Sequence, residues 1–209
     1  WISPEGRRAI AGLFKATATG EGDAPFVVEE ERSLADASGK YVGRRDELRR
    51  MGELLAAANR SRMKVIGIVG EPGSGKTRFL METRRRLKLG GHDVGMYVAS
   101  CARQGRSVPL SAMQEMLRTI LGIDELEAES EAKEKIGRLR ELGLGPGEIA
   151  AVTVALGVAL DEADEAVENP AQMLRPALAR IAMKLAEDRL TVFAWDGAES
   201  MDDESQALL

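Results

Sequence analysis

The sequence has few of the residues that several common kinds of site require. It contains one cysteine, Cys101, and one histidine, His92, among 209 residues. A single cysteine excludes a framework of internal disulfides and fits a reducing compartment, so we expect a cytoplasmic protein. A single histidine excludes a metal site built from several histidines. Four Phe, two Trp and two Tyr leave few rings on which single-stranded nucleic acid could stack.

Long apolar runs and an excess of positive charge are missing as well. No apolar run approaches the roughly 18 residues of a membrane span, and the first residues lack the basic and apolar pattern of a secretory signal. The net charge of −5 argues against broad electrostatic binding of nucleic acid. We therefore expect a globular chain that binds neither a membrane nor nucleic acid directly.

The spacing of apolar residues predicts an α/β fold. Helical periodicity covers residues 45–59 and 76–89, and short apolar runs typical of buried parallel strands cover 65–69, 94–99 and 190–195. Because a strand, a helix and a strand follow one another here, we expect a right-handed crossover in a parallel sheet flanked by helices.

The remaining residues predict a helical insertion and a tail. Residues from about 105 to 189 are mostly helical, with helices expected over 110–121, 131–142 and 148–160 and a last one that kinks or begins at Pro176. Residues 1–38 are expected to form a tail or linker, which leaves residues 39–209 as the main domain. In the tail we expect a short helix whose apolar face carries Ile10, Leu13 and Phe14, and then a strand at 26–28. The chain starts at Trp1 and stops inside a predicted helix, so we expect the natural polypeptide to continue at both ends.

The strongest motif lies between the first predicted strand and the helix that follows it. It reads Gly70-Glu71-Pro72-Gly73-Ser74-Gly75-Lys76-Thr77, the pattern GxxxxGK[ST] of a phosphate-binding loop. The glycines let successive amides point at a phosphate, and the helix start adds the positive end of its dipole. Lys76 is placed to bridge the terminal phosphates and the Thr77 hydroxyl to bind Mg²⁺. The sequence thus predicts a site for ATP or ADP with Mg²⁺.

Asp196 is the second candidate for this site. It ends a predicted buried strand, and the carboxyl ends of parallel strands form the edge at which such sheets bind ligands. A carboxylate there can hold Mg²⁺, directly or through water, opposite Thr77. We therefore expect Thr77 and Asp196 to be the protein ligands of the metal, and Lys76 and Asp196 to be catalytic.

Together with the box Tyr41-Val42-Gly43-Arg44-Arg45-Asp46-Glu47-Leu48, these motifs resemble those of AAA-related P-loop ATPases. Over residues 40–209 the chain is most similar to the signal-transduction ATPases with numerous domains, including those that follow cyclase domains in bacterial regulators. The tail resembles the end of such a cyclase-like domain. The resemblance implies that the backbone of Val42 and Gly43 touches the adenine and that Arg44 positions the nucleotide. We count Arg78, next to the loop, among the residues that bind the cofactor.

The resemblance also implies a function, and the sequence departs from the family pattern in two places. We expect an ATP-dependent switch in a bacterial signalling or transcription regulator, which contacts other domains of its polypeptide and forms a nucleotide-dependent oligomer. The position after Asp196, commonly an acid that polarises the attacking water, is Gly197, so hydrolysis is expected to be slow or absent unless Glu199 or Asp202 substitutes. A strand that usually separates the Asp196 strand from the phosphate-loop strand is missing, so we expect an incomplete sheet. For the sheet, the alternative is that these two strands pair directly, as in phosphate-loop kinases. For the function, the alternatives are a phosphotransferase and a nucleotide-binding scaffold without catalysis.

Overall fold

We describe the chain in a computed structural model, which covers Ser3 and residues 14–20, 25–31, 41–61, 63–91, 93–124, 126–160 and 170–209. The chain divides into two compact units, Trp1–His92 and Asp93–Leu209. His92 itself lies outside the described residues. Among those residues, no helix has the length and apolar character that a membrane crossing requires.

The first unit begins with an antiparallel hairpin. Strand β1 (Phe14–Ala18) pairs with β2 (Phe26–Glu31), with Ala18 opposite Phe26. The Thr19 N–H and hydroxyl both donate to the Pro25 carbonyl, at 3.1 and 2.8 Å, which closes the hairpin. The predicted tail helix is therefore wrong at Phe14, because this residue pairs across the hairpin instead. Ile10 and Leu13 lie outside the described residues.

Two helices follow in the same unit, as predicted. Helix α1 (Arg45–Ser61) buries Leu48, Met51 and Leu55 at helical spacing. Helix α2 (Lys76–Leu89) buries Phe79, Leu80 and Thr83 and ends at Gly90. The two helices contact each other, so their apolar faces give this unit its core.

The segment between α1 and α2 differs most from its prediction. The apolar run at 65–69 predicts a buried strand, but residues 63–70 form no strand. The Val65 and Val69 side chains are 91% and 97% exposed. A strand needs a neighbour for its backbone groups, and in the described part of the chain no strand pairs with this run. The predicted crossover that starts from it is therefore not formed among these residues.

The second unit contains the parallel sheet. Strands β3 (Val94–Ser100) and β4 (Leu190–Asp196) pair in parallel, with Val94 opposite Leu190 and Ser100 opposite Asp196. Over the described residues β3 is the one strand that pairs with β4, so the expected small and incomplete sheet is found and direct pairing with the phosphate-loop segment is not. The residues of β4 are half-buried rather than buried. A two-stranded sheet therefore leaves the side chains of β4 partly exposed.

Helices fill the rest of the second unit. They are α3 (Ser111–Leu121), α4 (Glu129–Gly137), α5 (Pro146–Ala155), α6 (Leu174–Leu185) and the short α7 (Asp203–Leu208). Their core includes Leu117, Ile136, Val152 and Ile181. Helix α5 ends before the predicted residue 160, because Gly157 adopts a left-handed conformation with φ of 71°. Pro176 is the third residue of α6, in the first turn, where proline is tolerated.

Candidate phosphate-binding site

A tight turn shapes the middle of the glycine-rich loop. The Ser74 N–H donates to the Glu71 carbonyl at 3.1 Å, with Pro72 and Gly73 between them. Gly73 has φ of 79°, which is the third position of a type II turn and favours glycine. Gly75 is also left-handed, with φ of 87°. The loop backbone thus turns twice in conformations that side chains disfavour, directly before α2.

Positive charge is concentrated where the loop meets α2. The Lys76 Nζ donates to the carbonyls of Gly70 and Glu71, at 2.9 and 3.3 Å, so the ammonium folds back over the loop. The first hydrogen bond of the helix runs from the Phe79 N–H to the Gly75 carbonyl at 2.9 Å. The earlier turn therefore presents the positive end of the helix dipole, which favours an anion. This local geometry suits a polyphosphate.

The box before α1 lies against the same loop. The Arg44 Nη2 donates to the Ser74 carbonyl at 2.7 Å. The guanidinium of Arg78 lies over the Tyr41 ring, 5.6 Å from its centroid. Burial raises the pKa of the Tyr41 hydroxyl, and this buried oxygen has no hydrogen-bond partner among the described residues. Val42, by contrast, is 83% exposed. The structure thus brings the box, the loop and Arg78 together within one unit.

Two of these contacts are absent from the sequence predictions. The resemblance assigns Arg44 to the nucleotide, whereas its observed partner is the loop backbone. It assigns no role to Tyr41, whose ring meets Arg78. A contact to a backbone carbonyl cannot be predicted from residue types, because every residue has such a carbonyl. The aromatic ring of Tyr41, next to Val42, is a sequence feature from which the second contact could have been predicted.

The strand end at Asp196 lies in the second unit. The Cys101 N–H donates to the Asp196 carbonyl at 2.8 Å, which continues the β3–β4 pairing by one residue. Gly197 then turns with φ of 75°, and a Cβ there would lie 2.9 Å from the Cys101 carbonyl oxygen. Glu199 is exposed on the 3₁₀ turn Ala198–Ser200. The turn after Asp196 therefore has room for glycine but not for an acid.

Asp202 has a different role from the one considered from sequence. It is 1% exposed and accepts hydrogen bonds from the N–H groups of Leu110, Ala112 and Ser205, at 2.8 to 3.1 Å. The Ser111 hydroxyl is a further partner at 3.1 Å. Although burial opposes ionisation, these donors lower the pKa of Asp202 to about 2. The oxygens of Asp202 accept hydrogen bonds at the starts of two helices, which argues against the alternative that Asp202 substitutes for the water-polarising acid.

Cys101 is half-buried beside these carboxylates. Burial raises the pKa of its thiol, and the charges of Asp202, Asp196 and Glu199 raise it further. A thiol that resists ionisation is a poor nucleophile, which argues against a catalytic role for Cys101.

The residues predicted to bind the metal fall in different units. Thr77 belongs to the first unit and Asp196 to the second, so their shared Mg²⁺ stays a prediction. Among the described residues, no group of three His, Cys, Asp or Glu side chains could hold a metal. A Mg²⁺ bound mainly by phosphates and water needs only one or two protein oxygens.

An open cleft occurs on the helical insertion of the second unit. Its volume is about 300 Å³, and it is lined by Glu115, Arg118, Thr119, Gly122, Ile123 and Asp124. No sequence motif marks this cleft. It is a concavity without any of the predicted site residues.

A glycine-rich phosphate loop at the start of a helix, with a small parallel α/β sheet in the chain, defines a P-loop NTPase. The family model of the AAA ATPase domain matches residues 40–209. The chain therefore belongs to the AAA ATPase domain family, and it is a nucleotide-binding module. No curated protein and no solved structure matches the chain.

Proposed function

We propose that the chain binds ATP with Mg²⁺ and acts as a nucleotide-dependent switch in a bacterial signalling or transcription regulator, with slow or absent hydrolysis. The loop geometry carries the proposal. The Glu71–Ser74 turn, the left-handed Gly75 and the folded-back Lys76 are arranged for a polyphosphate at the start of α2. In this proposal Lys76 neutralises the terminal phosphates, and Thr77 and Asp196 supply oxygens to the metal.

Slow hydrolysis is supported by the turn after Asp196. Polarising an attacking water requires a base beside the metal, and Gly197 has no side chain. The 2.9 Å approach of its Cβ position to the Cys101 carbonyl oxygen leaves no space for one. Glu199, exposed two residues further along, is the carboxylate left for this role. A phosphate that is bound but seldom cleaved suits a switch better than a fast enzyme.

Single-turnover phosphate release from ATP tests this proposal. With Mg²⁺ present we expect a rate constant far below the roughly 1 s⁻¹ at the low end of ordinary enzymes. Asp196→Asn should remove the Mg²⁺-dependent part of both binding and release, because it removes the metal's carboxylate. Glu199→Gln should lower the remaining release if Glu199 activates water.

Asp203→Asn is the matched control. Asp203 is exposed in the first turn of α7, and this variant changes the net charge by the same amount as Asp196→Asn. It should leave binding and release unchanged. A release rate constant of several per second, or metal dependence that survives Asp196→Asn, would contradict the proposal.

A further inference from the structure

Two residues at the start of the box, Tyr41 and Arg44, contact the phosphate loop or the helix that follows it. Arg44 donates to the Ser74 carbonyl at 2.7 Å, across 30 residues of chain. The ring of Tyr41 lies against Arg78 in the first turn of α2. Both contacts lie within the first unit. The box therefore contacts the loop and the start of α2 directly.

Arg44 makes its contact from an unfavourable backbone conformation. Its φ is 50°, and the other described non-glycine residue with a positive φ is Leu110. The left-handed region is unfavourable for an L-residue, because Cβ crowds the following carbonyl oxygen. The Arg44 carbonyl accepts the Leu48 N–H at 3.0 Å, which ties the residue to the start of α1. Such strain persists where the surrounding structure fixes a residue, and here it directs the guanidinium toward Ser74.

The bond to Ser74 sets the direction of the next amide. The peptide unit is planar and trans, so the Ser74 carbonyl and the Gly75 N–H point in opposite directions. Arg44 pulls the carbonyl toward itself at 2.7 Å, which turns the Gly75 N–H away from the box. Gly75, with φ of 87°, is free of the Cβ that would resist this orientation. The Ser74 N–H is already used by the Glu71 carbonyl at 3.1 Å, so the Gly75 amide is the next donor along the loop.

We propose that Arg44 is a positioning residue for the phosphate loop, which acts through the Ser74 carbonyl and not by contact with the nucleotide. This inference rests on the proposed function, since the positioned amide serves a bound phosphate. It deepens that function, because it makes the box a determinant of phosphate affinity irrespective of the base. The second terminal nitrogen of Arg44, Nη1, lies 3.7 Å from Glu47 Oε1 in an exposed ion pair.

Competition binding with ATP and with inorganic tripolyphosphate tests the inference. Arg44→Ala should weaken both ligands by the same factor, about tenfold for loss of one charge-assisted hydrogen bond. Arg44→Lys should lose less, because an ammonium can still donate to the carbonyl. Arg45→Ala is the matched control, since Arg45 is an exposed neighbour that carries the same charge. It should leave both affinities within about twofold, as expected for a solvent-exposed charge.

The same variants are compared by hydrogen exchange without any ligand. Arg44→Ala should speed exchange across residues 70–78 relative to wild type and Arg45→Ala, with Arg44→Lys in between. A loss of ATP affinity without loss of tripolyphosphate affinity would overturn the inference in favour of a direct base contact. Unchanged exchange and unchanged affinity in Arg44→Ala would overturn it as well. If wild type bound neither ligand while the exchange difference remained, the proposed function would fail and the loop contact would stand.

Discussion

Gly197 shows how one residue restricts the chemistry of the strand end. Two independent features disfavour a side chain there: its φ of 75° and the Cys101 carbonyl oxygen 2.9 Å from the Cβ position. The carbonyl cannot withdraw easily, because the neighbouring Cys101 N–H is bonded to Asp196 at 2.8 Å. The backbone geometry at residue 197 thus favours glycine over an acid, and placing an acid there by mutation should lower the stability of the fold.

Gly197→Glu is therefore expected to destabilise the second unit without adding hydrolysis. The strained φ and the clash together should lower the free energy of unfolding by about 1–3 kcal/mol. Urea unfolding followed by the fluorescence of Trp195, two residues away, measures the change. Ala198→Glu is the control, because Ala198 is exposed and accepts the same charge. A stable Gly197→Glu variant with faster phosphate release than wild type would contradict the steric interpretation.

At the scale of elements, Asp202 joins two helices that lie far apart in the sequence. It caps α7 through the Ser205 N–H at 2.9 Å and the start of α3 through the amides of Leu110 and Ala112. The Ser205 hydroxyl adds a bond from the Met113 N–H at 3.0 Å. The segment that leaves the Asp196 strand is consequently fixed to the first helix of the insertion.

The double cap predicts a dependence of stability on pH. The pKa of Asp202 falls from the ordinary 3.8 to about 2 in the folded chain. The stabilisation is therefore complete above pH 3.8 and is lost as the pH falls through about 2, and linkage gives it a size of about 2 kcal/mol. Asp202→Asn should lose that amount at neutral pH, as measured by urea unfolding, and its difference from wild type should shrink below pH 4. Asp203→Asn should show no such loss, and a wild-type advantage that is undiminished at pH 2 would contradict the assignment.

The elements that could be predicted are those whose signals are local. Helix α2 was predicted from Lys76 to Leu89 because the loop glycines precede it and Gly90 ends it, and the structure confirms both bounds. The strand ending at Asp196 is also confirmed. The apolar run at 65–69 was predicted wrongly because burial depends on a neighbouring strand, which a local pattern cannot supply. Phe14 was assigned to a helix for the same reason, since its partner β2 lies beyond a turn.

At the scale of the whole molecule, the chain combines a phosphate loop in one compact unit with an acid-terminated parallel strand in another. The motif GxxxxGK[ST] and its place before a helix could be read from the sequence. So could membership of the AAA-related ATPases, which the match over residues 40–209 confirms, whereas the signal-transduction type stays a prediction. The contacts that shape the site could not be predicted from the sequence. Arg44 binds a backbone carbonyl and Asp202 binds backbone amides, and a sequence motif gives no information on such backbone partners.

The most direct measurement is equilibrium binding of a fluorescent ATP analogue to wild type and to Lys76→Ala. Lys76 folds over the loop through bonds to the Gly70 and Glu71 carbonyls, and its charge is expected to supply much of the affinity for the terminal phosphates. We predict saturable binding by wild type and at least a tenfold loss in Lys76→Ala, the size of one strong charge-assisted bond. Equal binding by the two proteins, or none by wild type, would contradict a phosphate site at residues 70–77.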